Sequence, residues 1–162
     1  MGKQPRPCER GAQLVEFALV VPIFLLLVLG IIDFSVAFND YNSVRAGVSE
    51  GARQGVVANF ADGGCVGTSS QQLACLTRNR IGLDAADTKV KVVIPETYAV
   101  GDSLRVCAMY DVDSITGMFD LILDERVATA QIDMRIEKLD DDAPLENYEE
   151  TALTGENWTW CS

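Results

Sequence analysis

Residues 10–32 read RGAQLVEFALVVPIFLLLVLGII, and this stretch decides how the rest of the chain must be arranged. As a helix, residues 12–33 would be about 33 Å long, which matches the roughly 30 Å hydrocarbon core of a bilayer. Lys3, Arg6 and Arg10 precede the stretch, and positive charge before a span keeps the amino terminus in the cytoplasm. We therefore predict one membrane-spanning helix, which leaves the lipid near Asp33, with the remainder of the chain exported.

One acidic residue, Glu16, lies inside the apolar stretch, five residues after Gly11 and directly before Phe17. A carboxylate is costly in hydrocarbon, so a membrane helix keeps one where it has a function. A simpler interpretation is that Glu16 lies at the cytoplasmic interface and extends its carboxylate into water. The position of Glu16 alone is compatible with both interpretations.

A short basic leader ending in glycine, then glutamate at the fifth following position within an apolar helix, resembles a type IV prepilin. The fuller string RGAQLVEFALVVPIFLLLVLGIIDFSVAF, with VSEGARQGV after it, resembles the TadE-like family of pseudopilins, which accompany tight-adherence (Flp) pilus machinery. The close resemblance covers residues 10–57. Beyond it, the chain resembles the family only in architecture, and TadF-like and TadG-like relatives share the same amino-terminal pattern.

The resemblance implies a processing site. A membrane aspartyl peptidase, the prepilin peptidase, would cut after Gly11, with Ala12 becoming the first residue and Phe17 completing the motif. The freed amine of Ala12 and the carboxylate of Glu16 would carry opposite charges in a medium of low dielectric constant. Pairing between adjacent subunits would offset the burial of each charge and set the axial register of the subunits.

The resemblance also implies a role and a location. The chain would be a minor pilin or pseudopilin-like structural component of a tight-adherence pilus or secretion apparatus. Its partners would be the prepilin peptidase, other pilins, the pilus assembly platform and the lipid bilayer. It would cross the cytoplasmic (inner) membrane once, with the carboxyl-terminal domain outside.

Two alternatives remain open. Ser35-Val36-Ala37 places small residues where general signal peptidase requires them, and cleavage there would release a soluble acidic domain beginning at Phe38. The acidic domain, anchored or released, could also serve as a binding module for a basic ligand.

Composition excludes several other classes. The 162 residues carry a net charge of −11, which argues against binding to nucleic acid phosphates. The chain has no histidine, the commonest general base and neutral metal ligand. Residues 111–114 begin like a calcium loop, but Thr116 and Ile122 stand where the loop requires Gly and Glu. We therefore expect no enzyme, no catalytic residue, no metal and no cofactor.

From Phe38 onward, apolar residues recur at helical spacing, so we predict that the helix continues to about residue 58. Gly47, Gly51 and Gly55 lie beside this stripe at every fourth position. Each glycine costs roughly 1 kcal/mol relative to alanine in a helix interior. We therefore expect another backbone to approach closely there, either the sheet of the same domain or a neighbouring helix.

The remaining sequence predicts a small α+β domain. Alternating apolar residues indicate strands at 89–95, 103–112 and 125–137, which would form a three-stranded antiparallel sheet covered by the first helix. Short helices are predicted over 71–80, capped by Ser70 and ended by Gly82, and over 114–123. The chain then divides into a cytoplasmic basic leader (1–11), a transmembrane and amphipathic helix (12–58) and an extracytoplasmic acidic domain (59–162), a pilin-like arrangement.

Four cysteines remain once Cys8 leaves with the leader, and an even number in an exported domain indicates two disulfides with three possible pairings. In the predicted strand, Cys107 lies on the face opposite the apolar row. A partner is therefore needed over the outer sheet surface, where the aromatic tail ending at Cys161 can lie. We predict Cys107–Cys161, which leaves Cys65–Cys75.

Overall fold

The computed structural model describes residues 7–60, 64–94, 98–117, 126–140 and 144–161, and of residues 7–10 only the backbone. The first element, α1, is a single 50-residue helix over Pro7–Val56 that continues through Pro22. It therefore begins before the predicted residue 12 and ends two residues before the predicted residue 58. Within the described ranges it is the one helix that is long and apolar enough to cross a membrane.

Burial divides α1 into two halves. Large apolar side chains are exposed from Leu14 through Phe38, where Leu19 is 70 % and Phe38 67 % exposed. Beyond them, Val44, Val48 and Ala52 are fully buried in the core of the domain, and Val56 nearly so. The carboxyl-terminal half of α1 is thus the amphipathic helix that the sequence predicts.

The sheet has four strands in the order β3-β2-β1-β4, and every neighbouring pair is antiparallel. The strands are β1 (Thr88–Val93), β2 (Ser103–Asp111), β3 (Val127–Arg135) and β4 (Tyr148–Glu149). The three predicted strands are present, but the prediction of a three-stranded sheet is wrong. β4 has two residues and no alternating pattern, and only its pairing with β1, in which Val92 faces Tyr148, makes it a strand.

The second helix, α2 (Ser69–Ile81), begins earlier than predicted. Its cap is Thr68 rather than Ser70, because Thr68 is extended and exchanges hydrogen bonds with Gln71 in a capping box. The hydroxyl of Ser70 instead donates to the carbonyl of Glu146 at 2.7 Å. The helix ends at Gly82 in the left-handed conformation, as predicted.

α1 and α2 cover the apolar face of the sheet, where the side chains of alternate strand residues form the main core (Val90, Val92, Leu104, Val106, Ala108, Ala128, Ala130). A smaller cluster lies on the outer face, where Cys107 and Met109 contact Trp158 and Cys161 of the tail. The predicted helix over 114–123 is absent from its described part, since residues 114–117 are not helical. Residues 118–123 lie outside the described ranges.

Candidate processing and assembly site

Gly11, Ala12, Glu16 and Phe17 all lie on exposed turns of α1. A Cβ atom built on Gly11 would have no atom within 4 Å. The fold of this chain therefore does not require a glycine at position 11, although glycine costs roughly 1 kcal/mol in a helix.

Glu16 is exposed and makes no hydrogen bond or ion pair within the part of the chain that the structure describes. It lies four residues after Ala12, one turn along the same face and a rise of about 6 Å. Its carboxylate therefore points away from the chain, on turns of α1 where the apolar side chains are also exposed. Phe17, for example, is 68 % exposed. Within the described chain, no positively charged group and no hydrogen-bond donor offsets the charge of Glu16.

The basic residues that predict the topology are only partly placed by the structure. Lys3 and Arg6 lie outside the described residues, and the backbone of Arg10 belongs to α1. The cytoplasmic location of the amino terminus therefore remains a prediction from the sequence.

The three glycines at every fourth position of α1, Gly47, Gly51 and Gly55, pack against α2. A Cβ atom on Gly47 would lie 2.5 Å from the backbone nitrogen of Ile81, and one on Gly51 would lie 2.1 Å from Oγ1 of Thr77. One on Gly55 would lie 2.6 Å from Leu104 of β2 and 2.9 Å from Leu73 of α2. The close approach that the glycines predict is therefore made mainly by α2, which runs antiparallel to α1 in the same domain.

This packing limits where another subunit could contact α1. The face with the glycines is covered within the chain, whereas the amino-terminal half has an open apolar surface. A groove of about 570 Å³ lies on that half, lined by residues at helical spacing (Leu26, Leu27, Gly30, Ile31, Phe34, Ser35, Phe38). The carboxyl-terminal half of α1 therefore packs against its own domain, whereas the amino-terminal half exposes an apolar surface.

Two acids on α1 are buried, which was not predicted from the sequence. Asp33, expected at the edge of the lipid, is 2 % exposed, and its carboxylate accepts hydrogen bonds from the Ser114 hydroxyl and from the amide and hydroxyl of Thr116. Asp40 is 9 % exposed, one heptad further along. Asp33 and Asp40 lie at helical spacing from Val44, which is on the face of α1 that packs into the core. That spacing is the sequence signal that could have indicated their burial.

The environment of Asp40 affects two ionisable groups. Burial raises the pKa of Asp40, and a hydrogen bond with the Asn39 side chain opposes that shift. Burial also raises the pKa of Tyr110, and the negative charge of Asp40 raises it further. Burial is therefore the main cause of both pKa shifts.

The alternative cleavage site is part of the folded domain. Ser35-Val36-Ala37 is helical, the Ser35 hydroxyl donates to the carbonyl of Ile31, and Ala37 packs against the main core. Cleavage after Ala37 would also remove Asp33 and the hydrogen bonds it accepts. These contacts argue against cleavage after Ala37.

The carboxyl-terminal tail is fixed to the sheet. The structure contains the disulfides Cys65–Cys75 and Cys107–Cys161, which is the predicted pairing. Glu149 pairs with Lys91 at 2.8 Å, and the carboxylate of Glu150 contacts Arg78. Within the described ranges, no three Asp, Glu or Cys side chains converge to hold a metal ion.

Comparison with known proteins supports the resemblance inferred from the sequence. A family model described as TadE-like protein matches residues 11–53. The match lies within α1 and includes Gly11, Glu16, Gly47 and Gly51 but no part of the sheet. No curated protein and no solved structure shows a significant match to the chain.

Proposed function

We propose that this chain is a minor pilin or pseudopilin-like structural component of a tight-adherence (Flp) pilus or a related secretion apparatus. The observation that carries the proposal is the position of Gly11 and Glu16, both exposed, at the start of an apolar helix whose other end is built into a folded domain. The match of residues 11–53 to the TadE-like family supports it. The chain then acts by assembly rather than by catalysis.

Processing creates the partner that Glu16 lacks. Prepilin peptidase would hydrolyse the peptide bond between Gly11 and Ala12, so that water supplies the new carboxylate of Gly11 and the new ammonium of Ala12. The ammonium of one subunit can then neutralise Glu16 of its neighbour within the apolar bundle. Removing one member of such a buried pair typically costs about 3–5 kcal/mol, because the other charge is left without a partner.

The division of α1 allows the folded domain and the assembly surface to coexist. Residues 44–56 are part of the domain, so packing between subunits would use the exposed half that ends near Phe38. The assembly platform and the other pilins would contact that half after it leaves the bilayer. The acidic domain would then lie on the outside of the assembled fibre.

The test is assembly in cells that carry chromosomal variants of this chain. Glu16→Ala should abolish the incorporation of the chain into sheared pili while leaving its membrane level and both disulfides unchanged. Gly11→Leu should block cleavage and leave a longer, unprocessed chain in the membrane. Gln13→Ala, which changes an exposed polar residue on the same helix, is the matched control and should assemble normally. Normal pili in both the Glu16 and Gly11 variants would refute the proposal.

A further inference from the structure

The segment Ser114–Gly117, which begins three residues after the end of β2, is fixed to α1 by Asp33. The Ser114 hydroxyl donates to one carboxylate oxygen at 2.9 Å, and the amide of Thr116 donates to the other at 3.0 Å. The Ser114 hydroxyl also accepts the amide of Gly117 at 3.0 Å, which closes a turn. The polar groups of the segment are therefore directed at α1, while Ile115 between them is 68 % exposed.

The hydrogen bonds to Asp33 determine which turn of α1 this segment lies beside. Side chains on an α-helix point towards its amino terminus, so the carboxylate of Asp33 lies over the preceding turn, residues 29–32. On that turn, Leu29 is half-buried and Gly30 buried, whereas Ile31 is 67 % exposed. The segment therefore lies beside the last apolar turn before Asp33.

The outer edge of the bilayer should lie near the same turn of α1. A helix needs roughly 20 residues to cross the hydrocarbon, and the charge of Arg10 keeps the start of that stretch at residue 11 or later. The outer boundary of the hydrocarbon then falls at about residue 30 or beyond. Phe34, 50 % exposed, extends the apolar surface past that point.

From these positions we infer that the Ser114–Gly117 segment is a second membrane contact, in which Ile115 inserts into the outer leaflet beside α1. The occupant of this surface is lipid, because the exposed Ile115 lies at the same height along α1 as the apolar surface of the spanning helix. Asp113, which is exposed and directly precedes the segment, would remain among the headgroups. This inference rests on the membrane insertion of α1 that the proposed function requires.

The opposite end of the domain provides internal controls. Val100, 62 % exposed, lies at the turn between β1 and β2, where the Gly101 amide bonds to the carbonyl of Ile136. The adjacent residue Glu137 bonds to the carbonyl of Val56 at the end of α1. Val100 is therefore a full strand length from the Ser114–Gly117 segment, about 30 Å for the nine residues of β2.

The test uses tryptophan fluorescence of the full chain in vesicles of phosphatidylcholine and phosphatidylglycerol with brominated acyl chains. Ile115→Trp, Val100→Trp and Leu27→Trp are each compared with the parent chain, whose Trp158 and Trp160 are common to all four. The Ile115 variant should be quenched clearly more than the Val100 variant, and most strongly by bromines near the headgroup end of the acyl chain. The Leu27 variant should be quenched by bromines deep in the bilayer.

The outcomes separate the inference from the proposed function. If the Leu27 variant is quenched but the Ile115 variant behaves like the Val100 variant, α1 is inserted and the inferred lipid contact is wrong. If the Leu27 variant is not quenched, α1 does not span the vesicle membrane, and both the inference and the proposed membrane anchoring fail.

Discussion

The three acidic side chains of α1 named above differ in the environment that each one meets. Glu16 points away from the chain among exposed apolar residues, whereas Asp33 and Asp40 face the domain. Asp33 accepts three hydrogen bonds, which compensate for its lost contact with water. Glu16 has no compensation of this kind in the described chain, and the proposed function assigns its role to contacts between molecules.

Asp40 allows a test of burial at the level of one residue. Because burial raises its pKa, the folded chain binds the proton more tightly than the unfolded chain does. Stability contributed by this group is therefore present at low pH and is lost as the pH rises from the ordinary value of 3.8 through the raised pKa. Asp40→Asn should accordingly raise the melting temperature of the detergent-solubilised chain at neutral pH, and have little effect below that ordinary value.

The matched control for this prediction is Asp113→Asn, which removes the same charge from an exposed position. It should leave the melting temperature nearly unchanged at both pH values. An equal rise in the two variants at neutral pH would show that net charge, rather than burial of Asp40, limits stability.

Among the elements, the contact between α1 and α2 depends most directly on the glycines. A methyl group on Gly47 would lie within 2.6 Å of backbone atoms of Ile81, and backbone can move away only if α2 shifts as a whole. Gly47→Ala should therefore destabilise the domain by about 1–3 kcal/mol, even though alanine favours the helix by roughly 1 kcal/mol. Urea denaturation of the full chain in detergent, followed by tryptophan fluorescence, measures the change.

Ala46→Ser provides the comparison, since it adds one heavy atom at the neighbouring exposed position of α1. Its free energy of unfolding should stay within about 0.5 kcal/mol of the parent chain. A Gly47→Ala chain that is as stable as the parent would mean that the stripe of glycines is not needed for packing against α2.

The elements that the sequence predicts best are those with a local pattern. β1, β2 and β3 follow from alternation, and the pairing of Cys107 follows from the strand face on which it lies. The cap of α2 could have been read from Thr68 and Gln71, which form a capping box, but Ser70 also satisfies the rule for a single cap.

Two features that depend on distant parts of the chain, β4 and the hydrogen-bond partners of Asp33, could not be predicted. β4 is defined only by its partner β1. The hydrogen bond between Asp33 and Ser114 joins residues 81 positions apart, and no periodicity within α1 identifies that partner. Sequence patterns therefore indicate that an acid faces the domain, while tertiary structure decides what it binds.

At the scale of the whole molecule, the chain is a continuous helix with a folded domain on its far half. The same 50-residue element is exposed and apolar at one end and forms the core of the domain at the other. Any force on the amino-terminal half is therefore transmitted directly to the core, without an intervening linker. This arrangement suits a subunit that is extracted from a bilayer and held in a fibre by its helix.

The central claim is that cleavage after Gly11 supplies the positive charge that Glu16 requires. Sequencing the amino terminus of the chain purified from native membranes tests it most directly. We predict that the mature sequence begins AQLVEF, at Ala12. A sequence that begins at Met1, or at Phe38 after general signal peptidase, would contradict the claim, because neither terminus places a new ammonium group one helical turn from Glu16.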